Sequence, residues 1–474
     1  MFVNFKEQEV ESSQEAPFKG DKLARQPLIE QLTQLTKSLG QTGCVLAIDG
    51  QWGVGKTTFV KMWNNYVKSE NIKGRALYFN AWESDFVDDP LIALIGELKE
   101  IFPNHPQIEN LVKSGGKVVA RFAGELVKGS IKKFTGIDEN GISAISASVD
   151  ELTDIFKEKI DSYDKDKKNL SEFKRYLVEF AASNSENYPI VFFIDELDRC
   201  NPHYAVKVLE RIKHLFDVPN IVFVLSVNLD QLQYAVQGFY GSALIDGKNY
   251  LKRFIDLQIS LPEPDINKYV NILYETHRFG RHFIAETHKD SSAMVTIAKD
   301  LFKAANTDLR SINKIMAFTR LSLDNFIQGV NIDGALLFLL CYLRSEHDEL
   351  YTNLKNGAYS IQEALNALEE NLPKNLLIQT SGSCPSRQIA FSVAALLLRY
   401  NYTPTHSPKD PNFKGVKLED NSFWTFPLTP RFINPELLNQ ALEWNAQYHE
   451  AQFDYQEGLK SFFEHIDFLD NVIF

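Results

Sequence analysis

Eight consecutive residues carry most of the chemistry legible in this chain: Gly50-Gln51-Trp52-Gly53-Val54-Gly55-Lys56-Thr57. They complete the pattern G-x-x-x-x-G-K-[ST]. Glycines at these spacings let the backbone curl until its N–H groups face a phosphate. Lys56 would reach the β- and γ-phosphates, and the Thr57 hydroxyl would sit on Mg²⁺. Thr58 and the start of the following helix would add backbone donors and the positive end of a helix dipole. The alternative is a glycine-rich turn that binds nothing.

A second run, Ile190-Val191-Phe192-Phe193-Ile194-Asp195-Glu196, is apolar until it ends in two carboxylates. Such a strand suits a Walker B element. Asp195 would hold Mg²⁺ through water, and Glu196 would orient and deprotonate the attacking water. The plainer reading makes Asp195 the cap of the next helix. Asn228 ends a further apolar run, Ile221–Val227, where it would touch the γ-phosphate or open a turn through its own side chain. A transition state of this kind calls for an arginine. The candidates are Arg253 (from a neighbouring subunit), Arg310 (from the same chain) and Arg199, which would instead pair with Asp198 or a neighbour. No Asn-Lys-x-Asp guanine-reading motif occurs, which favours ATP over GTP.

These residues need a scaffold. Cys44–Ile48 reads as the strand before the loop, Thr57–Tyr66 as the helix after it, and Ala76–Trp82 as a second strand, a βαβ unit of a parallel, helix-covered sheet. A helix over Leu28–Leu39 precedes them. Later elements are expected as a helix at Ala205–Phe216, a strand at Ile221–Val227, a helix at Asp230–Val236 and a strand at Ile255–Leu261. Lys56 and Asp195 stand 139 residues apart, far more than a minimal βαβ series needs. Residues 91–180 therefore read as a helical insert, with a charged break at Asp161–Lys168. The chain divides into a flexible lead (1–20), a core (21–262), a helical lid (263–345) and a C-terminal helical region (346–474). A loop at 403–430 with five prolines interrupts the last. Gly334–Leu343 is too short to span a bilayer and reads as a buried helix.

Composition sets the outer bounds. The 474 residues are 44% hydrophobic and 24% charged, with a net charge of −12, an ordinary globular balance that does not advertise nucleic-acid binding. Four cysteines without a C-x-x-C pair argue for a reducing cytoplasm. No leader-like apolar run opens the chain. Lys113 to Lys133 is unusual, with six basic residues and one acidic. It reads either as a basic amphipathic helix for nucleic acid, an anionic membrane surface or an acidic partner, or as a solvated face. Gly116, Ala120 and Gly124 would form a small-residue row on another face of it. His277, His282 and His288 lack zinc spacing and read as exposed helical residues. Trp52 and Trp82 would pack around the nucleotide.

Taken together, these motifs resemble the KAP family of P-loop NTPases over roughly residues 20–345. The resemblance rests on Asp21–Arg25, the tryptophan in Gly50–Thr57, Phe79–Trp82, Asp195–Cys200, Tyr250–Phe254 and Leu309–Lys314. It implies an α/β P-loop sheet of the additional-strand type, with one strand between the two Walker strands. It also implies an ATPase with ATP and Mg²⁺ as cofactors, and places Arg25 and its neighbours against the adenine. Members are often bacterial and linked to phage exclusion and defence against mobile DNA. That points to homo-oligomers and to a protein partner from the same defence operon. Many members carry transmembrane helices between the Walker motifs; this chain has the insert without such a span. Two other roles stay open: a slow ATP-gated switch that presents its C-terminal region to a partner, and a nucleic-acid-stimulated ATPase.

Overall fold

The computed structural model describes residues 11–87, 89–102, 105–119, 149–185, 188–281, 288–326, 332–378, 385–401, 416–417, 424–425, 427–452 and 459–468. The described residues form two compact units, divided between Glu263 and Pro264.

In the first unit, β1 (Cys44–Asp49), β2 (Ala76–Asn80), β3 (Ile190–Asp195), β4 (Ile221–Val227) and β5 (Leu257–Ser260) form one sheet in the order β2-β3-β4-β1-β5. Every pairing is parallel. β4 lies between β1 and β3, the inserted-strand order expected above. β3 and β4 are buried along their whole length, as continuous apolar runs are when helices cover both faces. Alternation sends Phe192 and Phe193 to opposite sides. Phe192 stacks on Phe223 at 4.8 Å between ring centres. Phe193 meets the fully buried Trp63 edge-on at 5.2 Å. On the Trp63 face lie α1 (Gln26–Leu39) and α2 (Lys56–Lys68), and Trp63 Nε1 donates to Thr33 Oγ1 at 2.9 Å. The other face buries residues of α3 (Pro90–Ile101), residues 106–119 (α4), α5 (Val149–Asn184), α6 (Pro202–Leu215) and α7 (Leu229–Tyr240). A short α8 (Gly247–Leu251) leads into β5.

The structure departs from the sequence reading in four places. Residues 11–20, expected as a loose lead, pack on α2: Phe18 lies 5.1 Å from Tyr66, and Asn65 Nδ2 donates to Ser12 Oγ at 2.9 Å. The charged break at 161–168 is no break, because α5 runs through it unbroken. Alternating Asp and Lys without Gly or Pro is compatible with a helix and supports i,i+4 pairing. His277 is buried rather than exposed, and its carbonyl accepts from Arg320 Nε at 2.8 Å. His282 lies outside the described residues. Of the small-residue row expected at Gly116, Ala120 and Gly124, only Gly116 is described, and it packs on nothing, whereas the neighbouring Gly115 makes a close approach. A Cβ there would fall 2.3 Å from Ile95 Cδ1, while Gly116 faces open space. Lys113 and Lys117 pair with Glu109 and Glu172 at 3.9 and 3.2 Å. The residues from Ala120 to Lys133 lie outside the described residues.

The second unit is helical from α9 (Ile266–Thr276) through α10 (His288–Ala304), α11 (Leu309–Asp324) and α12 (Gly334–Glu346). α12 is buried from Gly334 to Leu343. Beyond it come α13 (Asp348–Lys355), α14 (Ile361–Asn371), α15 (Lys374–Leu377), α16 (Pro385–Asn401), α17 (Pro435–Gln452) and α18 (Leu459–Asp467). Much of the proline-rich loop lies outside the described residues. Two dipeptides within it, β6 (Val416–Lys417) and β7 (Trp424–Thr425), pair antiparallel. The buried Glu369 carboxylate accepts the backbone N–H groups of Arg431, Phe432 and Ile433 and fixes the chain where it returns. Among the described residues, no helix is long and apolar enough to cross a membrane.

Candidate functional site

Parallel pairing brings the chemistry to one edge. In register, Asp49 sits beside Val227, Asn80 beside Asp195 and Asp195 beside Ser226. The carboxyl ends of β1, β2, β3 and β4 therefore open side by side, and the candidate groups leave the sheet there.

Gly50–Thr57 wraps from β1 into α2. Gly53 and Gly55 take left-handed φ of 80° and 89°, a conformation that costs most residues with a Cβ about 1–2 kcal/mol. Gly50 N–H donates to Val227 O at 3.2 Å. A Cβ on Gly50 would stand 3.0 Å from Val54 Cγ2. α2 begins at Gly55 without a side-chain cap or an acid in its first turn. Asp, Asn or Ser side chains cap α3, α6, α7, α8, α9, α11, α12 and α14. The loop thus leaves the first N–H groups of α2 directed at a concave turn, an arrangement suited to an anion. Lys56 is buried and its ammonium donates to Gly50 O and Gln51 O at 2.6 and 3.0 Å. Burial lowers its pKa; the nearby Asp198, Asp195 and Asp49 carboxylates oppose that. Thr57 and Thr58 are half-buried beside it.

Asp195 is 1% exposed. Its Oδ2 accepts from Tyr78 OH at 2.9 Å and its Oδ1 from Glu196 N–H at 3.0 Å. It does not cap the next helix; Asn201 does, accepting from His203 N–H at 2.9 Å. Asp195 has no ion-pair partner among the described residues, so this buried carboxylate, with the Thr57 hydroxyl, is an oxygen donor set that suits a hard divalent cation such as Mg²⁺. Glu196 adopts a left-handed φ of 60°, a strained conformation for a non-glycine residue. Its Oε1 pairs with Arg199 Nη1 at 2.7 Å and its Oε2 accepts from Asn80 Nδ2 at 3.2 Å. Burial first, then the Asp195 and Asp198 charges, raise the Glu196 pKa; Arg199 and Asn80 restrain the rise.

Asn228 opens the next helix through its own side chain, as one of the two expected readings has it, and also ties to the phosphate loop. Its Oδ1 caps α7 through Asp230 and Gln231 N–H at 3.1 and 3.3 Å, while its Nδ2 donates to Gln51 Oε1 in the phosphate loop at 3.0 Å. Asp198 accepts from Trp52 Nε1 at 2.7 Å and from Asn228 N–H at 3.2 Å. Arg199 pairs with Glu196, not Asp198, and its guanidinium lies 5.5 Å from the centre of the Trp82 ring. Trp52 and Trp82 are both half exposed. Arg25 is buried and donates to Pro262 O at 2.5 Å. Pro262 follows Leu261, whose N–H donates to Asp49 O at 2.8 Å, so Arg25 is anchored near the root of the phosphate loop.

Two further candidate arginines lie on later elements. Arg253 is exposed, 5.9 Å from the Tyr250 ring centre, at the amino end of β5. Asp256 N–H donates to Val45 O, so a strand's length, about 20 Å, separates Arg253 from its own phosphate loop. Arg310 opens α11 in the second unit, where Asp308 accepts its N–H at 2.9 Å. Cys200 is buried, and burial pushes its thiol far up, which leaves it inert. Cys44, Cys200 and Cys341 are free; Cys384 lies outside the described residues.

Sequence reasoning missed Asp49, Tyr78 and Asn80. Asp49 accepts from Leu229 N–H and Gln258 Nε2, at 2.9 and 3.0 Å. A polar residue ending an apolar strand was a usable signal for Asp49 and Asn80. Nothing local marks Tyr78, whose partner is 117 residues away.

The family model described as the KAP family P-loop domain matches residues 25–323. No curated protein matches the chain. Among solved structures, the Aeropyrum pernix ORC2 protein in its ADPNP–ADP complexes is similar at 13% identity and a TM-score of 0.37, covering 90% of this chain and 95% of that one. Its ADP form is similar at 13% identity and a TM-score of 0.36, covering 86% and 85%.

Proposed function

The chain belongs to the KAP family of P-loop domains, and from that premise we propose that it binds ATP with Mg²⁺ and hydrolyses it to drive a conformational or assembly change. The observation that carries this reading is the convergence, at one sheet edge, of an uncapped glycine-led helix start with Lys56, Thr57, Asp195 and Glu196. The loop N–H groups from Gly53 to Thr58 and Lys56 hold the phosphates. Thr57 and Asp195 would hold Mg²⁺, which would supply charge neutralisation for the phosphoryl transfer. Glu196 takes the proton of the attacking water, and Asn228 fixes the loop through Gln51. Arg25 supports the root of the loop. The setting is defence against phage or mobile DNA, a role this reading takes from the family and not from the geometry.

The experiment compares wild type with Glu196→Gln. The variant keeps nucleotide binding and loses at least about a hundredfold in turnover, a general base contributing about 10²–10⁴; unchanged turnover would assign the base elsewhere. The same pair, tested with and without DNA or RNA and in a phage-challenged host, separates the alternatives. Negligible turnover that nucleic acid leaves unmoved favours the ATP-gated switch, and stimulation favours the nucleic-acid-driven enzyme. Protection lost in Glu196→Gln ties hydrolysis to defence.

A further inference from the structure

Resting on the Mg²⁺–nucleotide reading of this site, we propose that Tyr78 is the positioning residue that sets the Asp195 carboxylate for the metal. Tyr78 lies on β2, at the edge of the sheet, and reaches across to the end of β3. Its hydroxyl donates to Asp195 Oδ2 at 2.9 Å. Asp195 Oδ1 accepts from the Glu196 N–H at 3.0 Å. The two donors hold the carboxylate plane from opposite oxygens, so rotation about its side-chain bonds would break one or both bonds. Each oxygen keeps a second lone pair for a ligand.

Two features make Tyr78 suited to this. The strand holds the phenol from a backbone fixed by its pairing with β3. The Lys61 ammonium lies 5.3 Å from the ring centre, so α2 packs a cation on the same ring. An Asp that is 1% exposed cannot replace a lost donor with bulk water. Outer partners that orient a metal-binding group typically account for about 10–100-fold in metal affinity.

The test is calorimetric binding of a non-hydrolysable ATP analogue across a Mg²⁺ titration. Wild type gains affinity as Mg²⁺ rises. Tyr78→Phe is expected to raise the Mg²⁺ needed for half that gain about tenfold and to leave the metal-free nucleotide affinity unchanged, while the melting temperature falls because the buried Asp195 oxygen loses a donor. In an Asp195→Asn background, adding Tyr78→Phe should change nothing further. A Mg²⁺ dependence in Tyr78→Phe equal to wild type overturns the assignment. So does a further shift on adding Tyr78→Phe to Asp195→Asn, which would trace the effect to packing. A wild type whose affinity ignores Mg²⁺ would instead remove the metal reading itself, and this inference with it.

Discussion

Glu196 shows how much of a residue's chemistry is set by neighbours. A glutamate at the end of an apolar strand would titrate far below neutrality if it were solvated. Here burial raises its pKa and the Arg199 ion pair at 2.7 Å holds part of that rise back. The sign follows directly: a raised carboxyl pKa means the base is lost by protonation at a higher pH than for an exposed glutamate. Turnover should therefore fall on acidification before an ordinary carboxylate would protonate. Arg199→Ala removes the lowering influence and should move the acid limb of the pH–rate profile to higher pH. An unmoved limb would show that Arg199 does not act on the base. Trp52, Asp198, Gln51 and Asn228 make a second set of ties, from the phosphate loop to the ends of β3 and β4. They hold the loop with side chains where its own glycines cannot.

At the scale of elements, the site depends on helices whose starts are closed and on one whose start is left open. α3 illustrates the closed kind. Asp89 caps it through Leu91 N–H at 3.0 Å and also receives Arg211 of α6 through Nε and Nη2, at 3.1 and 2.8 Å. Both side chains are about nine-tenths buried. Arg211→Ala would leave a buried carboxylate without its cation, at a cost of about 3–5 kcal/mol. Denaturant unfolding would report the loss, and nucleotide affinity at a temperature where the variant is folded should be unchanged. A loss under about 1 kcal/mol would place this pair with exposed ones. α2, by contrast, starts at a glycine in the left-handed region and offers its first N–H groups to a ligand.

For the whole molecule, the placement of Arg253 bears on assembly. At the amino end of β5 it lies at the opposite end of the strand from its own phosphate loop, so a role in turnover would require the nucleotide of a neighbouring copy. Arg253→Ala and Lys56→Ala should each be inactive alone. Mixed, they should regain a share of turnover, because the first supplies an intact loop and the second an intact arginine. Turnover that stays flat on mixing, with a monomeric mass by light scattering in Mg-ATP, would shift the role to Arg310 in the same chain.

Sequence alone determined the parts whose information is local. The phosphate loop is legible because its glycines and lysine are contiguous. The Walker B strand is legible because its apolar run ends in the two carboxylates. Even the inserted-strand order of the sheet followed from motif order once the family resemblance was in hand. The charged stretch at 161–168 reads as a break on charge alone, but without Gly or Pro nothing interrupts a helix, and α5 runs through it. Other features were decided only in three dimensions, because they join residues far apart in the chain. Tyr78 meets Asp195 and Trp52 meets Asp198 only once β1, β2 and β3 lie in register. Arg199 turns to Glu196 because the left-handed backbone at Glu196 folds the turn back on itself. Hydrogen bonds and ion pairs act over a few ångströms of space, whatever the separation along the chain, and the sheet's parallel register supplies that proximity.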